Sequence, residues 1–408
     1  MSTVGLAEPV RAWRVGICAV LCLAAMSCGD SNTSKGVTNP SASNVVSVVV
    51  DAGPTSTSPD VNTLFTTVTV CVPGNTTTCQ TIDHIQVDTA SYGLRILAPV
   101  LTLSLPVQTV GNGESLVECT QFVDGYSWGP VATADVQIGG EAAASVPIQV
   151  IGATNFLSLV PANCSSIGPA EDTVAAFGAN GVLGVGVFAQ DCGAGCVNSA
   201  ANGFYYACTS TQCTGTTLVL ASQVPNPVTL FAKDNNGVII QLPTVAAGGA
   251  ATVTGSLFFG VDTQTNNKSG SQAVLNVDPT QGYLTTMFNG MTLTQSFLDT
   301  GSNGLYFNDS SITACTSSNF TGFYCPASTL NFTATLQGVN GVSANASFSV
   351  DDAQNLGAGL AAFATLAGTF PSDPATFDWG LPFYYGRTVY TVIESAVTSV
   401  GMGPYVAF

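Results

Sequence analysis

The sequence predicts an all-β protein built as two similar lobes, and three observations carry that prediction. Short runs rich in Val, Thr, Phe and Tyr dominate the chain, among them "VVSVVV", "LFTTVTVCV", "ATVTGSLFFGV" and "LNFTATL". Gly, Asn and Pro punctuate these runs, which is the pattern of strands and turns. Charged residues are only 8% of the chain and Gly numbers 43, so helices with charged outer faces are hard to place. The third observation is an internal repeat. Asp88-Thr89-Ala90-Ser91 and Asp299-Thr300-Gly301-Ser302 each follow an apolar run, and each is followed at the same offset by Gly-Leu: Gly93-Leu94 and Gly304-Leu305. Upstream, "FTTVTVCVPGNTTTCQTIDHIQVD" and "YLTTMFNGMTLTQSFLD" both read as strand, glycine turn, strand, Asp. Repetition of that kind marks a duplicated structural unit.

The first element in the chain is a targeting segment. Arg11 and Arg14 precede an apolar stretch over residues 15–26. It is shorter than the roughly 20 residues needed to cross a bilayer, and it suits a signal peptide over residues 1–27. The stretch ends in "LAAMSCGDSNTS", where a small residue before Cys28 resembles a bacterial lipoprotein processing site. That makes Cys28 the candidate lipidated residue. Residues 28–45 then read as a flexible tether. The expected placement is a cell-envelope lipoprotein held to the membrane by its N-terminal lipid, with a plain secreted protein as the alternative.

Two lobes follow, over residues 46–225 and 226–408. The pattern breaks between them at "ASQVPNPVTLFAKDNNG", where two prolines and an Asn-Asn-Gly interrupt the strands. The formal charge is −17. Removing residues 1–27 takes away Arg11, Arg14 and Glu8, which makes the charge one unit more negative. Such a surface argues against nucleic acid as a partner, since phosphate contacts need basic side chains. The charge serves solubility, and a monomer is expected.

Cysteine use agrees with export. Of the 13 cysteines, two fall in the leader and Cys28 is the lipid site, which leaves an even set for a compartment where disulfides persist. Cys71/Cys79 and Cys315/Cys325 are spaced for bridges across hairpins, and Cys119 and Cys164 can pair with each other. Cys192, Cys196, Cys208 and Cys213 can pair locally or in nested fashion, and the spacing does not decide between these. The "CGAGC" run lacks a nearby His, so a disulfide explains it better than a metal site.

The two repeated Asp residues carry the chemistry. A buried strand does not end on an unpaired carboxylate without a reason, because burying a lone charge is unfavourable by several kcal/mol or more. If each lobe supplies one Asp, the two are partners. Other mechanisms fit the sequence less well. His84 is the one histidine, which excludes a multi-histidine metal site. As a general base it would act from within a strand, roughly 13 Å along that strand from Asp88, and it reads as a surface strand residue. "GVLGVG" lacks the Lys of a phosphate-binding loop. No metal or organic cofactor is expected.

Taken in order, the motifs resemble those of the bilobal pepsin-like aspartic peptidases over about residues 60–408. After Asp88 comes "FVDGYSWGPVATADVQIGG", similar to the flap hairpin and its returning strand in those enzymes. "NGVLGVG" is similar to the apolar-apolar-Gly segment that threads beside the first active-site loop. "FDWGLPFYYGRTVYTVIE" resembles its second-lobe counterpart, and "GPYVAF" closes the chain on an apolar strand. The chain also resembles an uncharacterised bacterial lipoprotein family carrying these motifs.

The resemblance implies a pepsin-like double β-barrel with a cleft between the lobes that takes a peptide or protein. It implies that Asp88 and Asp299 form a catalytic dyad sharing one proton and activating a water. Thr89 and Thr300 would cross-link the two loops, Ala90 and Gly301 would form their turns, and Ser91 and Ser302 would bond the outer carboxylate oxygens. Asp124-Gly125 would form the flap tip, with Tyr126 or Trp128 as the flap aromatic; both also fit cross-strand packing. The chain departs from the pattern at Ala90, where the family has Gly, in its short flap, and at Arg95, where the family carries an aromatic. Two functions remain open on this reading. One is an exported aspartic endopeptidase. The other is a catalytically inactive lipoprotein that binds a peptide or other ligand in the same cleft.

Overall fold

The structure, a computed structural model, describes residues 44–54, 60–370 and 373–408. The expected leader, Cys28 and the tether through residue 43 lie outside these. Val45, placed with the tether by sequence, already belongs to β1, and Asn44 forms a turn just before it. Asn44 is fully buried, and its Nδ2 donates to the Phe259 carbonyl at 2.9 Å.

The described residues form an all-β fold with few, short helices. Its first part runs through β1 (Val45–Val50), β2 (Leu64–Cys71), β3 (Cys79–Asp88), β4 (Tyr92–Leu97), β5 (Thr109–Val110), β6 (Glu114–Gln121), β7 (Tyr126–Ile138) and β8 (Glu141–Ile151). After the one-turn helix α1 (Val174–Phe177) come β9 (Gly181–Val185), α2 (Ala194–Asn198), β10 (Tyr205–Cys208) and β11 (Cys213–Gly215). The remainder comprises β12 (Gly237–Gln241), β13 (Val253–Phe259), β14 (Val274–Asn276), β15 (Leu284–Phe288), β16 (Met291–Leu298) and β17 (Leu305–Phe307). It ends with β18 (Leu330–Gln337), β19 (Ser343–Val350), β20 (Ala367–Gly368), β21 (Phe377–Trp379), β22 (Thr388–Val392) and β23 (Tyr405–Ala407).

Pairing of β2 with both β3 and β7 closes β2, β3, β9, β4, β8 and β7 into a barrel. Closure removes the open edges that would otherwise template aggregation. Outside the barrel, β1 pairs with β13, and the sheet continues through β12, β22 and β23 to β14. The first and the last of the described strands therefore share one sheet. A second sheet, in the order β19-β18-β15-β16-β21-β17-β20, forms a half-barrel.

The local sequence explains these strands. In β16, "MTLTQSFL", Leu293, Ser296 and Leu298 are buried while Thr292 and Thr294 are exposed, and an irregularity in the pairing with β15 between Leu293 and Ser296 lets both turn to the core. Asn289 and Gly290 join it to β15, both with left-handed backbones (φ 47° and 77°). That is the two-residue turn whose twist suits a hairpin. One cluster of buried side chains runs from Val48 in β1 through Val87 and Leu183 to Leu298, Phe377 and Val406, so the two parts pack on a shared core.

All ten cysteines of the described residues are in disulfides: Cys71–Cys79, Cys119–Cys164, Cys192–Cys196, Cys208–Cys213 and Cys315–Cys325. The four whose pairing the spacing left open pair locally. Five bridges point to an exported protein. The described His/Cys/Asp/Glu group close enough to hold an ion is Cys315, Cys325 and Asp352. Both of its sulfurs are already joined to each other.

Candidate active site

Both copies of the repeated motif are placed by the same local topology. Strand β3 runs parallel to β9 in the register Asp88↔Gly184, and β4 returns antiparallel to β9. In the second copy β16 runs parallel to β21 in the register Leu298↔Trp379, and β17 returns antiparallel to β21. The Asp299 amide donates to the Trp379 carbonyl at 3.0 Å. The glycine beside each loop has backbone against it. A Cβ on Gly184 would lie 2.4 Å from the Tyr92 nitrogen, and one on Gly380 would lie 2.0 Å from the Gly304 oxygen.

The two loops meet through their threonines. The Thr89 hydroxyl donates to the Leu298 carbonyl at 3.1 Å and accepts from the Thr300 amide at 3.0 Å. In return the Thr300 hydroxyl donates to the Val87 carbonyl at 2.7 Å and accepts from the Thr89 amide at 3.2 Å. Residues 211 positions apart are thus locked by a reciprocal set of bonds. Both threonines are buried, so these bonds form away from competing water. Tyr384 adds its hydroxyl to Thr89 at 3.0 Å.

This lock brings Asp88 and Asp299 together. A Cβ placed on Gly301 would lie 2.9 Å from Asp88 Cγ, and 3.0 Å from both Asp88 Oδ1 and Asp299 Oδ1. The two oxygens are therefore separated by at most twice that last distance. Asp88 Oδ1 accepts from the amides of Ala90 at 2.8 Å and Ser91 at 3.2 Å. Asp299 Oδ1 accepts from the Gly301 amide at 2.6 Å, and Oδ2 from the Ser302 hydroxyl at 2.8 Å. Burial raises Asp299 well above the ordinary carboxylate range, and the charges of Asp88 and Asp378 push it further. Hydrogen bonds from Ser302 and Gly301 oppose the rise only in part.

The two serines behave differently. Ser302 bonds the outer oxygen of Asp299, but Ser91 Oγ is buried with no hydrogen-bond partner, and Ser91 reaches Asp88 through its amide alone. This corrects the symmetric expectation. The cause is the neighbouring strand. Ser302 also touches a third carboxyl, Asp378 Oδ2, at 2.6 Å. The position that matches Asp378 by register in the first copy is Val182, which gives Ser91 nothing polar to bridge to.

These groups line a cleft of about 1320 Å³, whose walls include Gln86, Ser91, Phe188, Tyr283, Ser302 and Asp378. The β6–β7 hairpin reaches over it with tip residues Phe122, Val123 and Asp124. Tyr126 and Trp128 do not line it, which corrects the flap expectation. Trp128 is buried, donates its indole N–H to the Phe156 carbonyl at 2.9 Å and meets Tyr206 edge-on. Tyr126 is held by its backbone instead. Its amide donates to the Pro169 carbonyl at 3.1 Å, and its carbonyl accepts from the Glu171 amide at 2.9 Å.

Arg95 is 1% exposed and forms part of the cleft floor. Its guanidinium is bound by Glu118, by Asp191 at 3.2 Å, by Thr120 at 3.0 Å and by the Tyr92 carbonyl at 2.6 Å. One cation is shared by two buried carboxyl groups. Burial and then Glu118 hold Asp191 well above the ordinary range. His84 is half-buried and stands 3.4 Å from Asp51 and 3.2 Å from Asp83. A bulge in the β2–β3 pairing and a left-handed φ of 48° at His84 break the strand's alternation there.

Sequence reasoning missed Asp378, yet the signal was present. "FDWG" places a carboxylate inside an apolar strand, the same anomaly that singled out Asp299. No curated protein matches the chain. Residues 40–408 match the family described as "Protein of unknown function (DUF3443)", and the chain belongs to that family.

Proposed function

We propose that the protein is an exported aspartic endopeptidase of pepsin-like bilobal architecture. The carrying observation is the pair of carboxyls from Asp88 and Asp299 flanking Gly301, held by the Thr89–Thr300 lock at the base of a cleft. Two carboxyls this close do not both ionise easily, so they share a proton. The ionised member takes a proton from a water held between them. That water attacks the scissile carbonyl of a peptide, while the other carboxyl protonates the carbonyl oxygen. No covalent intermediate forms, and the fixed amides of Ala90, Ser91 and Gly301 keep the carboxyls oriented. The proton on Asp299 persists above the ordinary carboxylate range, and activity falls once rising pH removes it.

The test is cleavage of a diverse peptide library from acidic to neutral pH. The wild type cleaves at acidic pH. Asp88→Asn and Asp299→Asn fold normally and lose at least about 10³-fold in kcat. A folded wild type that cleaves nothing at any pH removes the enzyme reading.

One observation favours the second reading, a cleft that binds without cleaving. The hairpin over the cleft is pinned through Tyr126 to residues 169–171, which limits entry of substrate. Peptide retention without cleavage in the same assay is its signature. In either case the reading includes anchoring at the cell envelope through a lipid on Cys28, checked by loss of fatty-acid labelling in Cys28→Ala.

A further inference from the structure

Ser302 stands between two carboxyl groups with one proton to give. Its Oγ is 2.8 Å from Asp299 Oδ2 and 2.6 Å from Asp378 Oδ2. A hydroxyl can donate to only one of them. The other contact is a hydrogen bond only if that carboxyl carries a proton and donates it to Oγ.

The surroundings decide which one. Both line the cleft, but Asp299 has a second donor in the Gly301 amide. Asp378 is 2% exposed, and its Oδ1 has no hydrogen-bond partner. The titratable groups that face it are Asp88 and Asp299, with Tyr306 and Tyr384. Burial holds both tyrosines neutral, and no ion pair involves Asp378 among the described residues. As a carboxylate, Asp378 would leave a bare anionic oxygen buried beside two other acids. As a neutral acid, it leaves only a carbonyl oxygen, a far smaller penalty.

We propose that Asp378 is a positioning residue that stays protonated and donates through Ser302 to Asp299, so that the centre is three carboxyls holding two protons rather than two holding one. The donor chain runs from Asp378 O–H to Ser302 Oγ, and from Ser302 O–H to Asp299 Oδ2. It fixes Asp299 Oδ2 as an acceptor and confines the mobile proton to the oxygens beside Gly301. The chain is one-sided, since the first copy has Val182 and an unpartnered Ser91 hydroxyl in the matching places. The two aspartates are thereby made unequal. Burial first, and then the charge of Asp88, raises Asp378 well above the ordinary carboxylate range, against the opposing bond from Ser302.

This inference rests on the peptidase reading for its role but not for its test. Infrared spectra of the full chain at neutral pH report the carbonyl stretch of a protonated carboxylic acid. Asp191 and Asp299, also raised by burial, give bands of the same kind, so the band of Asp378 is the component present in the wild type and missing from Asp378→Asn, which keeps a donor toward Ser302. Ser302→Ala leaves the band but moves it to higher frequency, because the acid loses its acceptor. In peptide cleavage Asp378→Asn retains the acid-side rate, whereas Asp378→Val, which copies the first lobe, loses about tenfold. A band unchanged in Asp378→Asn overturns the proposal. So does an Asn variant as inactive as Asp299→Asn, which would make Asp378 an ionised base. If the wild type cleaves nothing yet the Asp378-dependent band is present, the peptidase reading fails while the proton on Asp378 stands.

Discussion

A single methyl group separates the two copies of the repeat, and its effect depends on where it points. Ala90 is exposed and does not have the left-handed backbone that favours glycine, so its methyl is accommodated and its amide still reaches Asp88. Gly301 has no such room, since a Cβ there would press on both carboxyls. Gly301→Ala should therefore lower kcat by about 10²-fold through misplaced carboxylates. Ala90→Gly should keep or raise the rate. Steady-state kinetics on one cleaved peptide checks both, and equal losses in the two variants would contradict this asymmetry. The pairing of Asp88 with Asp299 was legible because a repeated buried acid needs a partner. The roles of Ser91 and Asp378 were not. They depend on which residue of β9 or β21 lies beside each loop, and register across a parallel pair is not written in either strand alone.

Among the elements, hairpins were readable where turn chemistry dictates them, as at Asn289-Gly290, and the flap was readable as a hairpin but not in its facing. Trp128 pairs with Cys119 across β6 and β7, and the Cys119–Cys164 bridge ties β6 to the segment that pins Tyr126. With that tie Trp128 faces Tyr206, and Phe122 and Asp124 are left lining the cleft. The bridge closes a loop of 45 residues, whereas Cys192–Cys196 closes one of 4. Loop-closure entropy then predicts a loss of about 4 kcal/mol for Cys119→Ala/Cys164→Ala and about 2 kcal/mol for Cys192→Ala/Cys196→Ala. Denaturant unfolding of the two double variants measures the difference. The first variant should also become more sensitive to proteolysis around residues 153–171, because the hairpin's anchor is loosened.

At the scale of the whole molecule, the all-β class followed from composition and turn spacing. The sheet shared by the first and last strands did not, since β1–β13 pairing joins segments too far apart for any local pattern to reveal. Buried acids set the pH behaviour of this assembly. Asp191, Asp299 and Asp378 are all raised by burial. Glu141 is pushed up to about 7 by burial and then by Asp234. A carboxyl raised on folding contributes stability below its unfolded pKa and loses it as pH rises through its folded value. The protein should therefore be most stable in mild acid and weaken toward alkaline pH. Glu141→Gln should remove a fall in stability of about 2 kcal/mol, reduced from the full linkage value by solvent screening, that runs from pH 4.5 and is complete by about pH 7, read from thermal melts across pH. A wild type more stable at alkaline pH would contradict this.

The central claim is that Asp88 and Asp299 act as one proton-sharing pair on a peptide. Calorimetric binding of a statine-type peptide mimic tests it most directly, since the mimic's hydroxyl takes the place of the attacking water between the carboxyls. The account predicts binding at acidic pH that weakens as pH rises and is lost by at least about 10²-fold in both Asp88→Asn and Asp299→Asn. Absence of binding by the folded wild type, or binding unchanged in both variants, would contradict it.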